Sequence, residues 1–546
     1  MRVQVYDEEV QVLIAGGGLV GLSLAVFLRD QGISTIVLER HPATSMQPRG
    51  RMLTSRSMEL FHSIGLGQAI VEAPPSVFLE YGESARAETL VGAEDFRTAR
   101  PPMDSVAEFS PHEPALIDQS TVVSLLRTRA EQCGADIRFG HRMAGFYQRG
   151  RGVDVVAEER AAGRRYRVRA EYLVAADGHR SPTRRSLGIE MLGPGTLQHI
   201  ANIAFEADLT VALRGRRLAL CYLRQPRSGT LLAILDRSDR WVLMVPYDPE
   251  TSDVDREFDR AGCVDMIRAA TGIADLEPAL LMPFADEARL VHTWEMAAAV
   301  AERYRVGRVL LAGDAAHIMP PAGGFGGNTG IQDAHNLAWK IAAVLGGAAD
   351  PGLLETYELE RRPVARLTCE HTIQRLRGRT EAEGDSQLAA NSPAIGLGYR
   401  YRSPAILAED DDGPDVLHPR DLSGLPGTRA AHLELVRDGR QLSTIDLFGH
   451  RFVLLTGPEA VAWSAAGRRF AAESGIGLDV YRLGHDVHDS QRRWKQKYGV
   501  DDSGAVLIRP DGFVAWRAPS SAEQPERLLA DVFRRLLTGV GDSDAT

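Results

Sequence analysis

Residues 12–40 read VLIAGGGLVGLSLAVFLRDQGISTIVLER: an apolar run, a glycine cluster, a second apolar run at helical spacing, and a third that ends on an acid. Residues 10–15 predict a buried strand, 19–29 a helix and 35–38 a second strand. Gly16, Gly18 and Gly21 satisfy G-x-G-x-x-G, and each has a separate task. The first permits a tight turn, the second lets backbone N–H groups approach a pyrophosphate, and the third lets helix pack on strand. Glu39 stands about 20 residues along, where a carboxylate accepts hydrogen bonds from a ribose diol. Strand, loop, helix, strand and acid together predict a dinucleotide held at a helix N-terminus.

The chain has 546 residues, 44% of them hydrophobic and 25% charged, with a net charge of −10. That composition is globular, excludes general attraction to nucleic acid or an anionic membrane, and contains no uninterrupted apolar run of the ~18 residues a span needs. Asp7, Glu8 and Glu9 occupy the place of a basic leader segment, so a cytoplasmic protein is expected. Cys133, Cys221, Cys263 and Cys369 are far apart and form no C-x-x-C; they read as small buried side chains in a reducing compartment, and no metal site is expected.

Beyond the first unit, residues 55–64 and 119–133 have helical spacing, residues 66–115 read as irregular, and 172–176 form an apolar strand ending in Asp177 and Gly178. Between 195 and 293, the runs 218–223, 230–235 and 241–245 read as antiparallel strands, a different architecture inserted into the first. The first fold resumes at RVLLAGDAAH (308–317), a strand running into a tight turn. The loop with Pro320, Pro321, Gly323, Gly324, Gly326 and Gly327 then leads to a helix predicted over 328–345. A second long helix covers about 353–377.

The predicted organisation is α/β. A Rossmann-like dinucleotide domain (1–194 and 294–404) carries an inserted antiparallel-sheet substrate domain (195–293). A linker (405–427) with an acidic run follows, then an αβ domain (428–540).

GGGLVG (16–21), AADGHRSPTRR (175–185) and GRVLLAGDAAHIMPPAGGFGGNTGIQDAHNLAWK (307–340) resemble the flavin-dependent aromatic hydroxylases of the para-hydroxybenzoate hydroxylase family. The match spans residues 10 to about 375. Residues 426–457, PGTRAAHLELVRDGRQLSTIDLFGHRFVLLTG, look like the thioredoxin-like appendage of the phenol hydroxylase and aromatic polyketide hydroxylase branch, without C-x-x-C and hence without thiol redox chemistry.

The resemblance implies that Asp314, after Gly313, holds the ribityl chain of FAD and that Glu39, beside Arg40, holds the adenosine ribose. Arg49 meets the pyrophosphate, Gln119 touches the flavin chain, and Asp177 belongs to the second cofactor turn. Gly326 is a further cofactor candidate, and Gly327 and Asn328 open the helix, so their free N–H groups and the helix dipole face negative charge on the flavin. Pro321 stiffens the loop and presents a carbonyl to substrate. Pro321, Gly327 and Asn328 are thus the candidate catalytic loop; no general base is singled out.

Tyr222, Trp241, Tyr247 and His292 are substrate candidates because they lie in the inserted domain. Asp314 and Asp177 also suit ordinary turns. Arg180 reads as an NAD(P)H phosphate contact or as a solvated ion pair. His317 reads as a structural hydrogen-bonding residue, and Trp294 and Trp339 as core.

The implied reaction is monooxygenation. NAD(P)H reduces FAD, O2 adds at flavin C4a, and the hydroperoxide hydroxylates an electron-rich phenol. GGFGGN (323–328) has Phe325 and extra glycines where the para-hydroxybenzoate enzyme carries a basic residue. A polycyclic, polyketide-type phenol of antibiotic biosynthesis therefore fits better than a small carboxylate. Baeyer–Villiger or ring-cleaving oxygenation of a polycyclic ketone stays open on the same scaffold, as does a flavin-binding carrier. A flavin-dependent halogenase needs a lysine beside the flavin tunnel, and none precedes Lys340. A pyridine-nucleotide disulfide reductase needs a second G-x-G-x-x-G, which is absent. A small molecule is the expected partner, and a homodimer is the candidate assembly.

Overall fold

The computed structural model describes residues 7–44, 50–77, 82–92, 95–98, 106–282, 290–378, 392–409 and 413–539. Its first sheet runs, in spatial order, Arg305–Val306, Val309–Leu311, Arg164–Ala175, Glu8–Ala15, Thr35–Glu39 and Asp136–Phe139. From Val309–Leu311 to Asp136–Phe139 all neighbours are parallel. The strand ends that meet the glycine loop, Asp177 and Asp314 therefore lie along one edge, where open parallel sheets bind ligands. The antiparallel pair His141–Arg149 and Gly152–Glu159 extends this sheet.

Buried Val12 and Ile14 pack with the helix Leu19–Asp30, the long helix Phe325–Leu345 and the helices Ser55–Ser63 and Gln119–Gln132. Leu22, Leu24, Ala25, Val26 and Leu28 show no exposed surface. The first helix is thus buried on nearly all sides, sandwiched between sheet and neighbouring helices.

The second sheet runs His317–Ile318, Val291–Ala301, Met191–Glu206, Arg240–Tyr247, Thr230–Ile234, Leu218–Leu223, Glu83–Ala87 and Asp95–Thr98. Two expectations change here. The sheet is mixed, because Leu218–Leu223 pairs in parallel with Glu83–Ala87. It also recruits two strands from the segment read as irregular, the polar ESARA (83–87) and its antiparallel neighbour Asp95–Thr98. The helix Arg260–Thr271 covers one face, contributing Cys263, Ile267 and Ala270 to a core with Phe205, Trp241 and Leu243.

In the last domain, Leu478–Arg482, Phe452–Thr456, Ala505–Ile508 and Val514–Ala518 form a sheet in that order, the first pair parallel and the others antiparallel. Its two longer helices are Val461–Ser474 and Pro525–Thr538, with a short one at Trp494–Tyr498. A βαβ unit followed by a hairpin and a helix is the thioredoxin-like order. The segment read as a linker is packed rather than free. Ala405 and Leu422 are buried, Leu407 N donates to Ala515 O and Gly427 N to Val514 O.

Candidate functional site

At the first turn the backbone has no room for side chains except at Gly18. Gly16 has φ +107°, and a Cβ on it would stand 2.2 Å from Ala176 O; one on Gly21 would stand 1.9 Å from Gly16 O. Gly18, by contrast, is exposed and faces open space to 4 Å. It caps the first helix without any side-chain bond, so the helix begins with unused N–H groups. Glu39 is already oriented: Gly17 N and His41 N each donate to its carboxylate at 2.8 Å. Arg40 is exposed, with Nε 3.2 Å from His41 Nε2.

The other strand ends supply further polar groups. Asp177 Oδ2 accepts from Thr183 N (3.1 Å) and Oγ1 (2.6 Å), bracing the helix Pro182–Ser186. Asp177 Oδ1 is buried without a hydrogen-bond partner among the described residues. Gly313 has φ +60°, and Asp314 is exposed between buried Gly313 and Ala315. Gln119 is the first residue of its helix, its N–H on Gly50 O at 2.8 Å. An open cradle at Gly18, an orphaned carboxylate oxygen and an exposed aspartate along one crevice fit a long polar cofactor. Arg49 lies outside the described residues.

The loop after Pro320 differs from expectation. The helix starts at Phe325, not at Asn328, with Gly324 at φ +70° as an N-cap that forms no side-chain bond. Gly326 and Gly327 therefore lie in its first turn, while Asn328 sits one turn in. The Asn328 side chain is spent on structure. Its Oδ1 accepts from Thr54 N (2.9 Å) and Ser57 Oγ (2.6 Å), and its Nδ2 donates to Met52 O (3.0 Å) and Gly324 O (2.7 Å). This amide clasps the loop to residues 52–57, and Pro321 stays exposed beside it.

Strand register sorts the substrate candidates. Tyr222 faces Leu231, Leu231 faces Met244, Met244 faces Asn202 and Asn202 faces His292, so Tyr222 and His292 share one face. Trp294, two residues on, joins them and donates from Nε1 to Asn202 Oδ1 at 2.9 Å. Trp241 pairs with Phe205 and Ile234 on the opposite face and is fully buried. Tyr247 lies on that same face, its ring against Phe258 and His199. By the two-residue alternation of a strand, Trp241 is therefore core and the half-buried Tyr247 packs against that core.

Arg51, beside Met52, donates to Ile234 O at 2.9 Å and so ties this segment to the second sheet. Sequence reasoning missed Arg51 and Asn202. The polar Asn202 inside the apolar strand Met191–Glu206 was the available signal.

His317 is buried, with Nε2 2.7 Å from Asp333 Oδ2. Trp339 packs against Phe452 of the last domain, and Arg180 is exposed, 3.7 Å from Glu295. Among the described residues no acidic, histidine or cysteine cluster suits a metal, and the four cysteines are free thiols. No helix there is long and apolar enough to cross a membrane.

Residues 9–372 match the FAD binding domain family model, and 423–538 match the carboxy-terminal domain of aromatic-ring hydroxylases. The chain is 41% identical to 4-methyl-5-nitrocatechol 5-monooxygenase of a Burkholderia species, over 97% of this chain and 98% of that one. It is 39% identical to aklavinone 12-hydroxylase of Streptomyces purpurascens, over 97% and 99%. The crystal structure of aklavinone-11 hydroxylase with FAD and aklavinone superposes with a TM-score of 0.88 at 37% identity, covering 98% of this chain and 100% of that one. The two family models together cover most of the chain and its relatives match it nearly end to end, so the chain belongs to the FAD-dependent aromatic-ring hydroxylases, a family of flavoprotein monooxygenases.

Proposed function

We propose that this hydroxylase acts on a polycyclic phenol of the aromatic polyketide type, using NAD(P)H and O2 in the cytoplasm as part of natural-product biosynthesis. The observation that carries the reading is the sheet face bearing Tyr222, Asn202, His292 and Trp294. It spans the strands from Leu218–Leu223 to Val291–Ala301 with Leu231, Ala233, Val242 and Met244 between its polar members. A broad apolar wall with few polar anchors suits fused rings. Relatives named for tetracenomycin B2 and aklavinone support it.

Bound FAD supplies electron transfer from the nicotinamide and the activation of O2. The chain's own residues bind and orient. The helix N-terminus behind Gly18 receives the pyrophosphate, Glu39 the adenosine ribose and Asp314 the ribityl chain. Gln119 and Asp177 complete the polar lining, with Arg49 at the pyrophosphate and Arg40 flanking the ribose. The N–H groups of Gly326 and Gly327 favour negative charge at the flavin edge, Asn328 holds them in place, and Pro321 borders the substrate. Excluding water from this crevice is the protein's remaining task.

A single-ring nitrocatechol substrate is the second reading, favoured by the Burkholderia relative. The test is incubation of the FAD-loaded enzyme with NAD(P)H, labelled 18O2 and either an anthracyclinone-type phenol or 4-methyl-5-nitrocatechol. One 18O in the polycyclic product supports the proposal, turnover of the nitrocatechol alone establishes the second reading, and oxygen transfer to neither removes both.

A further inference from the structure

The turn that exposes Asp314 is held from the long helix. A Cβ on Gly330 would stand 2.5 Å from Val20 Cγ2 and 3.1 Å from Gly313 Cα, so only glycine lets the helix come this close. Asp333 follows three residues later, on the same helix face. It shows no exposed surface. Its Oδ2 accepts from Gly313 N at 3.2 Å and lies 2.7 Å from His317 Nε2. Gly313 is the entry of the turn Gly313–Ala315 and His317 lies just beyond its exit. One carboxylate oxygen therefore ties both ends of the turn.

The other oxygen is bound from the helix Glu355–Gly378. Asp333 Oδ1 accepts from Arg361 Nε at 2.7 Å, and Arg361 continues to Thr329 O (3.1 Å) and Tyr401 Oη (3.0 Å). The Tyr401 ring stacks on Phe513 of the last domain at 4.1 Å. Burial alone would raise the Asp333 carboxyl, but Arg361 and His317 outweigh it and hold it ionised, below the usual carboxylate range. A buried carboxylate with every bond directed in this way fixes geometry strongly.

We propose that Asp333 is a positioning residue for the cofactor: by pinning both ends of the turn it sets the direction in which Asp314 meets the ribityl hydroxyls. The carboxy-terminal domain takes part at one remove, through Phe513, Tyr401 and Arg361. The proposal rests on the reading of Asp314 as an FAD ligand. Asp333 itself does not reach the crevice, so it acts on the flavin only through the turn.

The test uses the full chain, with FAD titrated into apoprotein and the visible circular dichroism of bound flavin recorded at saturation. Wild-type protein that takes up no FAD would refute the Asp314 reading itself, before any variant is compared. Given uptake, Asp333→Asn is expected to weaken FAD binding at least tenfold and to change the visible dichroism of the saturated protein. His317→Gln, which can still donate to Asp333, should stay within twofold of wild type, whereas His317→Leu should lose at least fivefold. Wild-type affinity and dichroism in Asp333→Asn would overturn the proposal. If that variant does not fold, equal affinities in His317→Gln and His317→Leu would overturn it instead.

Discussion

Arg509 of the last domain and Glu360 of the helix Glu355–Gly378 meet across the domain junction through two hydrogen bonds of 2.6 and 2.8 Å, with side-chain exposures of 1% and 0%. Lys340 shares the same carboxylate at 2.7 Å, and Asp511 binds Arg509 from the other side. Removing one member of such a buried set leaves the others charged in a dry site. Arg509→Met should lower unfolding free energy by about 3–5 kcal/mol, read from urea denaturation of the apoprotein.

Gly18 and Gly21 should fail in different ways. Ala at position 21 would place its Cβ against Gly16 O, so Gly21→Ala should distort the loop and lower the apoprotein's melting temperature. Ala at position 18 meets only space. Gly18→Ala should leave apoprotein melting unchanged and weaken FAD at least tenfold, measured by fluorescence quenching on titration.

The two faces of the substrate sheet should separate stability from turnover. Trp241→Ala empties a fully buried site and should destabilise the fold by about 3–5 kcal/mol. Asn202→Leu, on the other face, frees Trp294 Nε1 and should raise the substrate KM several-fold with little change in FAD affinity. Parallel thermal melts and steady-state assays check both.

Burial, reinforced by the Arg56 guanidinium and opposed by Asp511, holds the His335 imidazole down to about 3. The ring packs edge-on to Phe27 at 4.8 Å. A folded pKa below the unfolded value of about 6.5 means that the unfolded chain takes up the proton first. Stability is therefore lost as pH falls from about 6.5 towards 3. Between pH 7.5 and 5 this group should account for about 2 kcal/mol, at 1.36 kcal/mol per unit. Denaturation of wild type and His335→Phe at the two pH values should show the smaller loss in the variant.

The glycine loop, Glu39 and the Gly313–Asp314 turn were legible in the sequence because their constraints are local: a turn, a close approach, an acid at a strand end. The side-chain clasp of Asn328 is not legible, since its partners Thr54 and Ser57 lie about 270 residues away in the chain. Trp241 and Tyr247 could not be told from Tyr222 and His292 without register, because one residue of shift exchanges the faces. Glu83–Ala87 carries no apolar alternation and joins the sheet as a parallel neighbour of Leu218–Leu223, so no pattern announced it. Asp333 sits inside a strong helical stretch, and only its contact with Gly313 sets it apart.

Because Glu83–Ala87 and Asp95–Thr98 join a sheet otherwise built from residues far downstream, the second sheet is not a contiguous cassette. The chain enters it from one side of the cofactor domain, leaves, returns along Met191–Glu206 and departs again along Val291–Ala301. Grafting residues 195–293 from a relative would transplant a sheet lacking Glu83–Ala87, Asp95–Thr98 and most of Val291–Ala301, and mismatch the seam at Leu218–Leu223. Exchange of substrate range between these enzymes should succeed instead by editing single positions on the face shared by Tyr222 and Trp294, leaving the weave of the backbone intact.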